Sequence, residues 1–282
     1  MDLSLIIPLY NAEPYAAKSA SMVHAFLTSL APRTFELIFV DDGSQDRGAD
    51  CVQALGLPST TVIRLPCNLG KFGAIKAGMR AATGRCRIFT DGDIPYELGA
   101  IEYISELILS REFHLAIGDR TLAGSEYSQQ LPFVRSVVTR LFTQFVRVLV
   151  AGGLFDTQCG IKGFRGDVAD ALFPLVRDQG FSGDVELLYI ALKYNLEIKR
   201  VPVRLRRQAP STVRVSRDGL KMLRRISKLR KAWRRGYYHS AELVSIADQS
   251  YWNTDSSSGI SIDTAPDHKG FSKVCRGHLK IS

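Results

Sequence analysis

Arg87-Ile88-Phe89-Thr90 runs directly into Asp91-Gly92-Asp93, and this junction governs how the whole chain is read. The first four residues have the apolar character of a buried strand. Two carboxylates then stand one residue apart at the strand's C-terminal end. Hard oxygen ligands favour Mg²⁺ or Mn²⁺, ions that usually sit between one or two carboxylates and substrate phosphates. A D-x-D segment by itself also fits a solvated turn. A second acidic strand end, Phe39-Val40-Asp41-Asp42-Gly43-Ser44, lies upstream at the spacing of an α/β unit and favours the metal reading.

Outward from this junction, two periodicities alternate. Strands are expected at Leu3 to Pro8, Phe35 to Val40, Thr61 to Leu65, Arg85 to Thr90 and His114 to Gly118. Helical spacing fills 13–30, 46–55, 71–82 and 97–110. Strand and helix in alternation imply right-handed crossovers and a mostly parallel, doubly wound sheet flanked by helices. Ligands of such sheets bind beyond the carboxyl ends of the strands. Pro8-Leu9-Tyr10-Asn11, Asp41-Asp42-Gly43 and Asp91-Gly92-Asp93 all fall on that edge. The first strand is followed by Tyr10-Asn11-Ala12-Glu13, so the dinucleotide-binding glycine pattern is missing, and so is the P-loop. Phosphates must then be met by metal and basic side chains.

The 282 residues, 45% hydrophobic, suffice for one sizeable α/β domain with an appendage. Five cysteines lack paired spacing and read as reduced thiols of a cytosolic protein. Strand-like residues begin at Leu3 without a basic leader, so no signal peptide is expected. No apolar run reaches the roughly 20 residues needed to cross a bilayer. The net charge of +9 is unevenly placed: residues 200–236 hold fourteen Lys/Arg and one acid, Asp218, a surplus of 13 that leaves −4 for the rest. Such a block suggests a polyanionic partner: a membrane surface, nucleic acid or a phosphorylated ligand.

Three boundaries follow: a domain over 1–215, a basic amphipathic helical segment over 216–239, and a tail over 240–282 read as mostly disordered. Residues 133–150 place Val137, Leu141, Phe145 and Val148 opposite Thr139, Arg140, Gln144 and Arg147. That pattern fits either a helix packed on the sheet or an interfacial helix meeting lipid. Residues 217–235 set Met222, Leu223, Ile226, Leu229 and Trp233 against nine Lys/Arg, and either a packed helix with a solvated basic face or membrane-surface contact fits them.

Taken together, the chain resembles the family 2 glycosyltransferases of GT-A fold, most of all the polyprenyl- and dolichyl-phosphate sugar synthases. The resemblance rests on Ile7-Pro8-Leu9-Tyr10-Asn11, Val40-Asp41-Asp42-Gly43-Ser44, Asn68-Leu69-Gly70-Lys71, Thr90-Asp91-Gly92-Asp93, Gly118-Asp119-Arg120, Asp156-Thr157-Gln158-Cys159-Gly160-Ile161-Lys162-Gly163-Phe164 and Asp184-Val185-Glu186-Leu187-Leu188, in order. It implies that Pro8, Tyr10, Phe39 and Asp41 hold the nucleobase and ribose, with Lys71 and Gly92 on the donor side. Asp91 and Asp93 would bind Mg²⁺ or Mn²⁺ and the donor diphosphate. Arg120, Arg135, Thr139 and Arg207 would take the acceptor phosphate, and Gln158 and Lys162 belong to the signature loop. Asp184 matches an acidic position that serves as general base where the acceptor is a hydroxyl. A phosphate acceptor is already ionised, so here the residue would serve either as base or to orient a sugar. Three departures stand out: Ala12 where the family often has an acid, Ser211-Thr212-Val213 where a lysine is frequent, and no C-terminal spanning helices.

The resemblance implies an inverting, metal-dependent transfer from a nucleotide-sugar donor to a polyprenyl phosphate. The enzyme would lie peripherally on the cytoplasmic face of a membrane, drawn to its anionic surface. Transfer to a saccharide hydroxyl in cell-envelope polysaccharide synthesis is the alternative. A nucleic-acid-binding role for 200–236 is disfavoured, because no aromatic residue interleaves the basic run before Trp233.

Overall fold

The computed structural model describes residues 1–30, 33–125, 156–157, 159–180, 182–206 and 228–255. A seven-stranded sheet runs through the compact unit Met1–Ala247. The strands are β1 (Leu3–Leu9), β2 (Phe35–Asp41), β3 (Thr60–Arg64), β4 (Cys86–Phe89), β5 (Leu115–Asp119), β6 (Lys162–Arg165) and β7 (Ile198–Pro202). Their order is β3-β2-β1-β4-β6-β5-β7. The helices are α1 (Ala16–Ser29), α2 (Gly48–Gln53), α3 (Lys71–Ala81), α4 (Gly99–Leu109), α5 (Gly166–Leu172), α6 (Gly183–Lys193) and α7 (Ala241–Asp255), with residues 228–234 also helical.

Alternation along the strands builds two cores. In β2, Ile38 and Val40 join one apolar layer, and Leu37 and Phe39 join the other. The first layer is covered by α3, α5 and α6 through Phe72, Ile75, Val168, Leu172 and Leu188. The second is covered by α1 and α4. Ala16, Ala20, Val23 and Leu27 of α1 recur at helical spacing and are all buried. Each fully buried large side chain contributes roughly 1.5–3 kcal/mol, so the two layers define the sheet's register. α3 lies especially close to β1, because a Cβ at Gly78 would overlap Ile6.

The doubly wound reading of residues 3–119 holds, with element ends moved by one to three residues. One strand is inserted that no periodicity announces. β6 pairs antiparallel with both β4 and β5, so β5 never touches β4. β6 is four residues long and admits only a glycine at Gly163, where a Cβ would overlap Ile104 of α4. The reading of 240–282 is corrected over its first part. Residues 241–255 form α7, and Leu243 and Ile246 are buried in the first core layer. Two well-spaced apolar side chains suffice where a wall already exists. In 228–234, Leu229 is buried and Trp233 packs edge-on against Tyr189 and Tyr194. The described part of the second amphipathic stretch thus turns these apolar residues toward the protein and leaves Lys228, Arg230, Lys231, Arg234 and Arg235 exposed. Residues 133–150, 217–227 and 256–282 lie outside the described residues.

Candidate active site

Three strand ends and the start of α3 are laced together at one rim. The Asn11 amide donates to Ser44 Oγ at 2.9 Å, and the Gln45 amide donates back to Asn11 Oδ1 at 3.0 Å. Asn11 takes a positive φ of 48°, a conformation asparagine tolerates better than most residues. Asp42 ties in the next turn: its carboxylate accepts from the amides of Leu69 at 2.8 Å and Gly70 at 2.9 Å. Its own amide donates to the Leu9 carbonyl. Gly70 has φ 92° and lies so close to the Gln179 carbonyl that a side chain would not fit. Together these bonds fix where Lys71, the first residue of α3, projects.

Lys71 reaches across to Asp91, Nζ to Oδ1 at 2.5 Å. Burial pulls its ammonium down, but the carboxylates of Asp91 and Asp184 outweigh it, and the group is pushed up to about 12. Asp91 is hemmed in on its far side by Gly160, where a Cβ would overlap its carboxylate. Gly92 is equally constrained, since a Cβ there would sit 2.7 Å from the Pro8 carbonyl oxygen. Asp93 is held above the ordinary carboxylate range, first by burial and then by the neighbouring Asp91. Tyr15 lies against Gly92, and its hydroxyl is pushed up by burial and by Asp93, Asp46 and Asp91.

These features test the metal expectation. Two half-buried carboxylates stand one residue apart, and burial with the neighbouring Asp91 charge raises Asp93, which is the electrostatic setting a divalent cation relieves. Among the described residues no cluster of three or more His, Cys, Asp or Glu could enclose an ion. The donor set therefore fits Mg²⁺ or Mn²⁺ shared with substrate phosphates rather than a closed protein cage. Asp91 and Asp93 are the residues that would hold it.

Beneath the rim is a buried ion pair. Lys162 of β6 donates to Asp184 Oδ1 at 2.8 Å and to the Cys159 carbonyl at 2.6 Å, with the Phe89 ring 5.4 Å away. Both charged side chains are buried, at 0% and 5% exposure. Asp184 is brought here because α6 begins directly on α3, where a Cβ at Gly183 would overlap Phe72. The pair joins β6 to α6 under Lys71, an arrangement suited to holding the floor of the site.

Arg120 also has a carboxylate partner. Its Nε and Nη2 donate to the two oxygens of Asp156 at 2.6 and 2.7 Å, and its amide donates to the same group. Asp156 is held below the usual carboxylate range because these bonds outweigh its burial. The guanidinium thus holds the segment after β5 to the start of the signature loop. Cys159 is buried and its thiol is pushed up to about 11 by desolvation, which suits packing under Gly118 rather than nucleophilic attack.

Of the sequence-predicted site residues, the structure brings together Pro8, Asp41, Lys71, Asp91, Gly92 and Asp93 at the rim, with Lys162 and Asp184 below and Tyr10 half exposed at its edge. Phe39 is corrected. Its ring is fully buried in the second core layer with Leu37 and Ile7, so it cannot face a nucleobase. It shares a sheet face with Asp41 but stands two residues deeper along β2, where the second core layer covers it. Arg135, Thr139, Gln158 and Arg207 lie outside the described residues. Tyr15, Asp42, Asp156 and Gly160 were not anticipated. Asp42, Asp156 and Gly160 stood within quoted motifs, but their contacts depend on elements distant in sequence.

Comparison with known proteins agrees with this geometry. Residues 4–173 match the family described as Glycosyl transferase family 2. Dolichyl-phosphate beta-glucosyltransferase of Dictyostelium discoideum is 31% identical over 213 residues, covering 71% of this chain and 65% of that protein. The Homo sapiens protein of the same name is 29% identical over 215 residues, covering 72% and 66%. The chain thus spans about two thirds of the length of these relatives. Among solved structures, glucosyl-3-phosphoglycerate synthase from Mycobacterium tuberculosis, in complex with Mn²⁺, UDP and glucosyl-3-phosphoglycerate, aligns with TM-score 0.59 at 18% identity over 82% of this chain and 79% of that one. Mannosyl-3-phosphoglycerate synthase from Rubrobacter xylanophilus aligns with TM-score 0.60 at 14% identity over 84% and 76%. At those identities the likeness concerns the fold. The laced rim, the paired carboxylates and the family match over more than half its length agree: the chain belongs to glycosyl transferase family 2.

Proposed function

We propose that the chain transfers a hexosyl group, with inversion, from a nucleoside diphosphate sugar to a polyprenyl phosphate of the dolichyl type. The observation that carries the reading is the Asp91-Gly92-Asp93 turn held between Lys71 and Gly160 at the carboxyl edge of the sheet. Tyr10 and Pro8 offer a flat wall for the nucleobase, and Asp41, at the end of β2, offers a carboxylate to the ribose. A divalent cation bound by Asp91 and Asp93 would neutralise charge on the diphosphate as the bond to C1 breaks. Lys71 supplies a second positive charge beside it. The proposed nucleophile is a phosphate oxygen, already ionised at neutral pH.

Asp184 supports the phosphate acceptor over a hydroxyl. It is buried and bonded to Lys162, so its place fits positioning of the floor better than proton abstraction. The dolichyl-phosphate activity of the relatives points to the same acceptor. Among the described residues no helix is long and apolar enough to cross a membrane. The proposed mode is peripheral attachment to the cytoplasmic face through exposed cations, each contributing about 1 kcal/mol near an anionic surface.

The test is direct. The protein is incubated with a panel of nucleotide sugars and a short polyprenyl phosphate, and extracted lipid is analysed by mass spectrometry. A glycosylated polyprenyl phosphate is expected, abolished by Asp93→Ala and by chelator, and restored by Mg²⁺ or Mn²⁺. Product formed only on saccharide hydroxyls would replace the acceptor assignment, and full activity in chelator would remove the metal.

A further inference from the structure

A second concave site lies behind the turn that carries Lys71. The turn 68–70, the loop 177–180 and parts of 228–238 enclose about 830 Å³, within the range of small-ligand sites, roughly 300–1,000 Å³. This cleft is not the donor rim. Asp184 and Glu186 stand two residues apart on α6, roughly 200° around the helix. Asp184 faces Lys162, whereas Glu186 lines the cleft.

The cleft's chemistry is cationic. Arg177, Lys228, Lys231 and Arg235 line it, and among the described residues none of the four is ion-paired to a carboxylate. Two carboxylates, Asp178 and Glu186, share the wall but serve to build it. Glu186 accepts from the amides of Arg177 at 3.2 Å and Asp178 at 2.8 Å, and from the Tyr238 hydroxyl at 2.6 Å. Asp178 accepts from the Gly180 amide at 2.7 Å and the Ser182 hydroxyl at 2.8 Å. The Arg177 guanidinium lies over the ring of Tyr237, 4.6 Å from its centroid, and Tyr237 is 49% exposed.

We propose that this cleft binds a phosphate ester, independently of the donor site. Four cations in one concavity match a group with several charged oxygens, and arginine forks suit phosphate bidentately. Stacking on Tyr237 restrains the Arg177 fork, and the exposed ring offers an apolar flank to the organic part of the ester. The phosphate can come from a phospholipid headgroup or from a soluble phosphate compound. The inference does not depend on the glycosyl transfer reading.

The full chain is tested in two arms: titration calorimetry with inorganic pyrophosphate, and co-sedimentation with phosphatidylcholine vesicles with and without phosphatidylglycerol. The cleft variant is Arg177→Gln/Lys231→Gln/Arg235→Gln. A control, Lys18→Gln/Arg80→Gln/Arg111→Gln, removes the same charge from exposed positions elsewhere. The expected result is binding by the parent in at least one arm, a loss of roughly tenfold or more in the cleft variant, and a much smaller loss in the control. The responding arm identifies the source of the phosphate. Absence of binding in both arms, or equal losses in the two variants, overturns the site. Should the triple variant fail to fold, Arg235→Glu at its exposed position gives the same comparison.

Discussion

Gly160 lacks a side chain, and the Asp91 carboxylate occupies the space one would fill. Gly160→Ala should push that carboxylate off its contact with Lys71. Displacement of a reacting group by about 1 Å costs on the order of a hundredfold in rate, so kcat/KM for sugar transfer should fall by about that much. The melting temperature should move only a few degrees, because the rim side chain can yield. Unchanged kcat/KM would show that Asp91 needs no fixed position. Lys162 and Asp184 pose the opposite problem, since each is buried and needs the other. Lys162→Met should cost roughly 3–5 kcal/mol of unfolding free energy by stranding a charge, and Lys162→Met/Asp184→Leu should recover much of it. Urea unfolding of the two variants reads this out, and a double variant no more stable than the single one would contradict it. His114 is buried, with Nδ1 accepting from the Glu197 amide. Burial, helped by the Arg165 cation, lowers its pKa from 6.5 to about 4. The unfolded chain therefore takes up the proton first, and stability should decline as pH falls from about 6.5 toward 4, by at most about 1.4 kcal/mol per pH unit for one proton. His114→Gln should flatten that slope, measured by denaturant unfolding across the window.

Elements were legible in the sequence in proportion to how strongly their periodicity repeats. β1 to β5 and α1 to α4 alternate, and each presents an apolar run or stripe long enough to identify. β6 was hidden because its four residues, Lys-Gly-Phe-Arg, look polar, and its lysine is buried only because Asp184 arrives from α6. α7 was hidden for a related reason. Its anchors, Leu243 and Ile246, are too sparse to mark a helix until Tyr194, Tyr238 and Ser240 supply a wall. That wall leads to a prediction for the element. Leu243→Ala should cost about 2–5 kcal/mol, whereas Val244→Ala, at an exposed position, should change little. Equal melting temperatures for the two variants would mean that α7 contributes nothing to the core. The rim was legible at Asp91, Asp93 and Lys71 because short motifs mark strand ends. Phe39 was misplaced because its motif neighbours are site residues, while its own ring lies one step deeper on Asp41's face, beneath the second core layer.

Across the whole molecule, the site depends on parts far apart in sequence. The carboxylates of Asp91 and Asp93 come from the first third, and their floor, Gly160, Lys162 and Asp184, comes from the second half. The basic surplus between 200 and 236, read first as one partner-seeking block, divides in the described structure. Arg200 pairs with Asp119, whereas Lys228, Lys231 and Arg235 line a cleft. The inserted strand β6 also sets an order in time. As the chain leaves the ribosome, β1 to β4 can assemble early, but the flank of β4 stays open until Lys162–Arg165 emerge, and β5 can join the sheet only through them. An open edge in a half-made sheet invites pairing with another nascent chain. A fragment ending at Ser125 should therefore be aggregation-prone and lack a cooperative unfolding transition, however complete its first four strands.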